Sequence, residues 1–355
     1  MLSTVLVACS QERSLAPKPT QYFLYALVGT LGGNIGLDII DGETDTLSGH
    51  IEKLGHPATW FIAATQDGRY LVSLAPGIEI GLYRLPDCSP VGVVSTIGMQ
   101  MAIDSRLGRI FASTSDSTYV YRIPELALDT VWNRGFNSHY TFLVIPETDR
   151  LLGVVRVKDN SGITHDEFVV MDCQSGAVVE RFTLHSPLGN SEFLSMEIVA
   201  SPKGKRLFCL AVDNAGACLI GFDLAHKTPL FRRELETLIG HGSLSPDGSE
   251  FWLTQSFPGL YPDPPPPGRG YVLIVDAATG APIDTIRTLG LRADRPSRPL
   301  PIMDIRFIPN NPKAYVSSYM SSPSILAVST DRHEVTGRLF VDTFTVVNGI
   351  EVIPR

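Results

Sequence analysis

The chain has 355 residues, 44% of them apolar and only 19% charged, with a formal net charge of −8. That balance excludes long disorder, and a negative net charge with no cluster of Lys and Arg excludes a nucleic-acid or anionic-membrane surface. The length exceeds that of the usual single domain, but the pattern described below accounts for it without a domain boundary.

In chain order, Met1–Ser10 (MLSTVLVACS) is apolar and ends in Leu-Val-Ala-Cys. It resembles a truncated bacterial lipobox, which implies that Cys9 receives a diacylglycerol and becomes the first residue. The stretch that follows to Gln21 is polar and carries Pro17 and Pro19, the composition of a tether. Residues 1–21 are therefore expected to be a lipoprotein signal and tether, and residues 22–355 a single domain. No later stretch approaches the ~20 apolar residues of a membrane helix, so the lipid is the expected membrane contact. Ser10 stands where an Asp would signal inner-membrane retention, so the implied location is the periplasmic side of the envelope or the outer membrane.

From Tyr22 onward one pattern recurs. An apolar strand is followed by a polar turn, a second apolar strand, a gap, and a third strand ending near Asp and a Thr-Gly-like turn. Residues 22–54 hold an incomplete copy. Further copies run over residues 58–97, 99–133, 141–184, 192–235, 243–286 and 302–341. A period of about 40–50 residues with four short strands per unit is the signature of a β-propeller blade. Asp67-Gly68, Lys203-Gly204 and Asp247-Gly248 supply turns that need positive φ. In Ile274–Gly280 (IVDAATG), Asp276 is placed to accept backbone N–H groups across a turn that Gly280 relieves. Degraded forms lie at Met171–Gly176 and Ile40–Thr44. The first copy lacks its innermost strand, and Asn348–Pro354 reads as that strand at the other terminus. The expected fold is all-β, a seven-bladed β-propeller closed by pairing of the C-terminal strand with the N-terminal blade, which removes the exposed edge.

Asp67–Val72 (DGRYLV), Ala314–Ser318 (AYVSS) and the Ile274–Gly280 turn resemble the YVTN-type β-propeller repeat. The likeness covers nearly the whole chain after about residue 20. It implies the fold and little about function, since that superfamily mixes lactonases, quinoprotein-like subunits and proteins without activity.

Five cysteines are scattered and form no C-x-x-C, so neither a zinc site nor a redox pair is indicated. Cys209 and Cys218 flank a hairpin, but a two-residue turn sets Ala211 opposite Cys218, so buried free thiols are expected. No G-x-S-x-G nucleophile elbow and no C-x-x-C-H haem attachment occurs.

Candidate site residues fall in three groups. Segments 158–165, 256–270 and 289–301 are long for a propeller and belong to the face where loops vary without disturbing the sheets. Phe257, Tyr261, Arg269, Arg292, Arg295 and Arg298 would give that face an aromatic and cationic rim for a small anionic ligand or an envelope protein. His56, His139 and His241 precede innermost strands and could meet near the axis as metal ligands or a base. Glu197, Asp304 and Glu351 interrupt apolar innermost strands, and alternation turns each toward the channel. With Arg306, and with Glu79 and Asp104 nearby, they could hold a divalent metal or perform acid–base chemistry, or simply be solvated. No cofactor is otherwise indicated. The leading expectation is a lipid-anchored scaffold of the cell envelope that binds a ligand or protein. The alternative is a lactonase-like hydrolase with its site in the central channel.

Overall fold

A computed structural model gives the structure of the protein. It describes residues 21–30, 35–136, 142–158, 160, 162, 164–183, 193–201, 203–213, 216–235, 241–254, 271–288, 302–318, 324–340 and 345–354. Among these residues the regular structure is strand throughout, and no helix is long and apolar enough to cross a membrane.

The strands group into seven blades of four. Blade 1 is built from β1 (Tyr22–Thr30), β2 (Ile35–Asp41) and β3 (Thr46–Ile51). Blade 2 follows with β4 (Phe61–Ala64), β5 (Tyr70–Ala75), β6 (Glu79–Arg84) and β7 (Ser89–Ser95). Blade 3 has β8 (Gln100–Asp104), β9 (Arg109–Ser113), β10 (Thr118–Arg122) and β11 (Ala127–Trp132). Blade 4 has β12 (Phe142–Ile145), β13 (Arg150–Lys158), β14 (Thr164–Asp172) and β15 (Val178–Thr183). Blade 5 has β16 (Phe193–Ala200), β17 (Arg206–Asp213), β18 (Gly216–Asp223) and β19 (Thr228–Leu235). Blade 6 has β20 (Gly242–Leu244), β21 (Glu250–Thr254), β22 (Tyr271–Asp276) and β23 (Pro282–Arg287). Blade 7 has β24 (Ile302–Phe307), β25 (Lys313–Ser318), β26 (Ser324–Ser329) and β27 (Glu334–Phe340). The last strand, β28 (Thr345–Pro354), is the innermost strand of blade 1.

Closure is as the sequence led us to expect. β28 lies antiparallel to β1, from Tyr22 opposite Pro354 to Thr30 opposite Thr345. Blades 4 and 5 are joined by one extra parallel bridge, His165 to Phe193, which merges them into a single eight-stranded sheet. β13 and β14 extend into the segment expected as a long loop, so His165 is half-buried on a strand and not on a free loop.

A blade alone cannot bury both faces of its sheet, so the core is distributed between blades. Seven buried clusters, one at each interface, run around the ring among the described residues. Phe208 stacks on Phe251 between blades 5 and 6, with centroids 4.7 Å apart, and Trp252 meets Phe307 edge-on at 4.9 Å between blades 6 and 7. Aromatic pairs add about 1 kcal/mol each beyond their buried area. At the base of the closing interface, the Lys313 ammonium donates to Asp45 and to the Gly42 carbonyl at 3.0 Å, and the Tyr315 hydroxyl donates to Asp45 at 2.5 Å.

The turns also follow the repeat. Gly68, Gly204 and Gly248 hold φ of 66°, 60° and 76°. Asp276 Oδ1 accepts from the Ala278 and Thr279 amides at 3.0 and 2.7 Å, and Asp41, Asp172 and Asp223 do the same in their blades. Bonds from the Ser175 amide, the His226 ring and the Thr279 hydroxyl, backed by these amides, hold the carboxyls of Asp172, Asp223 and Asp276 respectively below their usual range. All seven outermost strands carry a β-bulge at the equivalent position. Cys218 pairs with Ala211, as the hairpin turn requires, and Cys88, Cys173, Cys209 and Cys218 are buried and not in disulfides.

Candidate functional site

An innermost blade strand is an edge: the backbone N–H groups on its channel side have no neighbouring strand to bind. Three acidic side chains answer that need here. The Gly242 amide donates to Glu197 Oε2 at 2.7 Å, and the Ile350 amide donates to Asp304 Oδ2 at 3.3 Å. The Ala64 amide donates to Glu351. In each case an inner strand reaches across to the inner strand of the next blade, stitching 5 to 6, 7 to 1 and 1 to 2.

The positions are equivalent by repeat. Ser201, Ser245 and Ile308 open the turn between the first two strands of blades 5, 6 and 7. Four residues before each stand Glu197, His241 and Asp304. Two residues before Ile308 stands Arg306, and Glu351 is its counterpart in blade 1 by ladder register. Because alternate residues share a face, the first three form one level of the channel and the last two the level beneath.

β16, β24 and β28 each bulge just before this level, at Met196, Met303 and Asn348. A bulge re-aims the residues that follow it. The ladders formed by β4, β8 and β12 run without such a shift. The distortion is thus confined to blades that carry charge.

The side chains form one network. His241 Nδ1 lies 3.3 Å from Glu197 Oε1. Arg306 Nη1 donates to Asp304 Oδ1 at 2.8 Å, and its Nε donates to Glu351 Oε2 at 3.3 Å. Burial disfavours a charged His241, but the Glu197 carboxylate outweighs it and raises the imidazole above its ordinary value. Burial likewise pushes Glu351 above the usual carboxyl range; Arg306 pulls it down and Asp304 pushes it up. Arg306 keeps its proton, because Asp304, Glu351 and Glu197 together overcome its burial.

The sequence candidates separate clearly. Glu197, His241, Asp304, Arg306 and Glu351 meet in the channel. His56 does not join them; its Nδ1 accepts from the Ala58 amide at 3.0 Å and fixes a local turn. Glu79 opens the third strand of blade 2, and Asp104 is buried at the other end of β8, capping the Arg106 and Leu107 amides. His139, Cys9 and the rim residues Phe257, Tyr261, Arg269, Arg292, Arg295 and Arg298 lie outside the described residues. No group of three His, Cys, Asp or Glu side chains is arranged to hold a metal ion among the described residues. Burial pushes the thiols of Cys88 and Cys173 up to about 12, so neither is a nucleophile.

Sequence reasoning missed the other side of the mouth. Trp60, Ile78, Ile97 and Met99 are exposed where blades 2 and 3 meet the channel face. In the sequence they are indistinguishable from core positions of a strand pattern.

No protein-family profile matches the chain, and no curated protein does. Solved structures do match. A functionally unknown protein from Desulfotomaculum acetoxidans superposes with a TM-score of 0.65 at 12% identity, covering 93% of this chain and 98% of that one. Kuenenia stuttgartiensis hydrazine synthase gives 0.62 at 13%, covering 85% and 97%. Dihydro-heme d1 dehydrogenase NirN, in complex with DHE, gives 0.59 at 14%; 91% of this chain is covered, and it spans 64% of that chain. The likeness is one of fold. At these identities it shows the fold and no particular role or chemistry.

Proposed function

We propose that the protein is a non-catalytic binding propeller of the cell envelope, of the YVTN-type repeat group, held to the membrane by a lipid on Cys9. It receives an envelope protein or a small ligand on the face where the innermost strands begin. The observation that carries this reading is the state of the channel charges. Each of the three carboxylates is tied to a backbone amide of the next blade, and the two cations are paired to them. A hydrolase needs a base poised near working pH. His241 is instead drawn toward its charged form by Glu197. The anchor reading rests on the Leu-Val-Ala-Cys sequence. It is compatible with topology, since β1 starts at the face opposite the channel mouth.

The test uses the purified full-length chain against a panel of small lactones, with and without EDTA. The expected result is no turnover and a melting temperature indifferent to the chelator. Lactone hydrolysis that collapses in His241→Asn would replace this reading with the lactonase-like one. In cells, Cys9→Ser is expected to move the protein out of the membrane fraction, and unchanged fractionation removes the anchor.

A further inference from the structure

Resting on the reading of the channel mouth as the binding face, we propose that its ligand is an amphipathic organic cation, an ammonium group carried on an aromatic or aliphatic body. The mouth has two unlike sides. On one, Trp60 and Met99 immediately precede β4 and β8, the innermost strands of blades 2 and 3. Trp60 and Ile97 are each 59% exposed, and Ile78 and Met99 are exposed beside them. Backbone bonds hold these residues along one edge: Trp60 N to Leu74 O at 3.0 Å, Gly77 N to Gly98 O at 2.8 Å and Thr96 N to Ile78 O at 3.0 Å. Single exposed apolar residues need no explanation, but four gathered at the mouth of a channel do.

On the other side stand Glu197, His241, Asp304, Arg306 and Glu351. Three carboxylates face one guanidinium and one imidazole, so an excess of negative charge remains even with His241 protonated. Two buried atoms around the same level lack partners among the described residues. The Ser317 hydroxyl, fully buried, sits directly across the ladder from Asp304. Gln100 Oε1, on the inner strand of blade 3 at the level of Glu197, is an acceptor with no donor, while its Nε2 donates to the Phe136 carbonyl at 3.1 Å. An ammonium brings a donor to the Gln100 acceptor and a positive charge to the excess of carboxylate, whereas an anionic ligand brings no donor; the Ser317 hydroxyl can serve either. The exposed indole of Trp60 supplies an aromatic face for the organic body that carries this group. The expectation of an anionic ligand came from arginines that lie outside the described residues; the channel itself is built with the opposite balance.

Phenethylamine, phenethyl alcohol and phenylacetate share one body and differ in charge. Titrated into the full-length protein by calorimetry, the amine is expected to bind at least about tenfold more tightly than phenylacetate, a difference of about 1.4 kcal/mol, and to quench the fluorescence of Trp60. Trp132 and Trp252 are buried and report little. Trp60→Ala and Glu197→Gln should each weaken amine binding about fivefold or more. Gln keeps an oxygen for the Gly242 amide, and Asp304→Asn serves if Glu197→Gln does not fold. Equal or tighter binding of phenylacetate overturns the cation and leaves the mouth as the site. Amine binding untouched by both substitutions places it elsewhere and also overturns the proposal. Silence in all three arms, with no change in Trp60 emission, removes both the cation and the mouth.

Discussion

Glu147 occupies the turn between β12 and β13 with φ of 59°, the left-handed region that glycine fills in other blades. Its side chain is exposed, so nothing in packing repays the strain. Glu147→Gly is expected to raise stability by about 0.5–1 kcal/mol, the left-handed penalty less the entropy of the added glycine, as read by urea denaturation. Gly280 shows the opposite case. Its φ is 70° and a Cβ there would come within 2.4 Å of the Phe231 ring, so sterics and backbone both require glycine. Arg306 is the most consequential single residue. It lies between Asp304 and Glu351, and removing it leaves two carboxylates facing each other. Arg306→Leu is expected to cost about 2 kcal/mol, less than a fully buried pair would, because the guanidinium keeps solvent contact. The sign with pH is fixed. Without Arg306, Glu351 rises further above its unfolded-state pKa, so the folded form gains protons as pH falls and the variant recovers. The loss should be larger near about pH 8 than near about pH 5, measured by paired denaturation curves.

At the scale of elements, β28 carries more than its length suggests. Val347, Ile350 and Ile353 are buried, and each is worth about 1.5–3 kcal/mol. Their sum is comparable to the whole stability of an ordinary domain. A chain ending at residue 344 is therefore expected to lose cooperative melting, seen by calorimetry or circular dichroism; a sharp transition near that of the intact chain would show that the ring does not depend on its seam. The strand's existence was legible because Asn348–Pro354 completes a pattern that starts unfinished at Tyr22. The Asp-Gly and Asp-x-x-Thr-Gly turns were legible for the same local reason, since each needs only a few consecutive residues. The bulges at Met196, Met303 and Asn348 were not, because a bulge is a relation between two strands and leaves no mark in either alone. The β13–β14 hairpin shortens the segment expected as a loop, because Val157 pairs with His165 and Lys158 with Thr164, cross-strand relations that the polar run KDNSGITH does not display.

For the molecule as a whole, alternation along inner strands is enough to set Glu197, Asp304 and Glu351 on the channel side from sequence alone. Which of them meet depends on how blades 7, 1 and 2 come together, and that is decided by ring closure, not by local sequence. His241 joins through equivalence with Glu197 and Asp304, a relation visible only once the turns are aligned on their hydrogen bonds. The seam has one more consequence, and it concerns synthesis. In chain order β1, β2 and β3 come first and β28 comes last among the described strands, so the first blade waits, one strand short, until Thr345–Pro354 has been made. The nascent polypeptide cannot close the ring before that segment emerges. Until β28 arrives, the backbone edge of β1 that it will cover stays open to any other strand, so the unclosed ring is the state most exposed to mispairing.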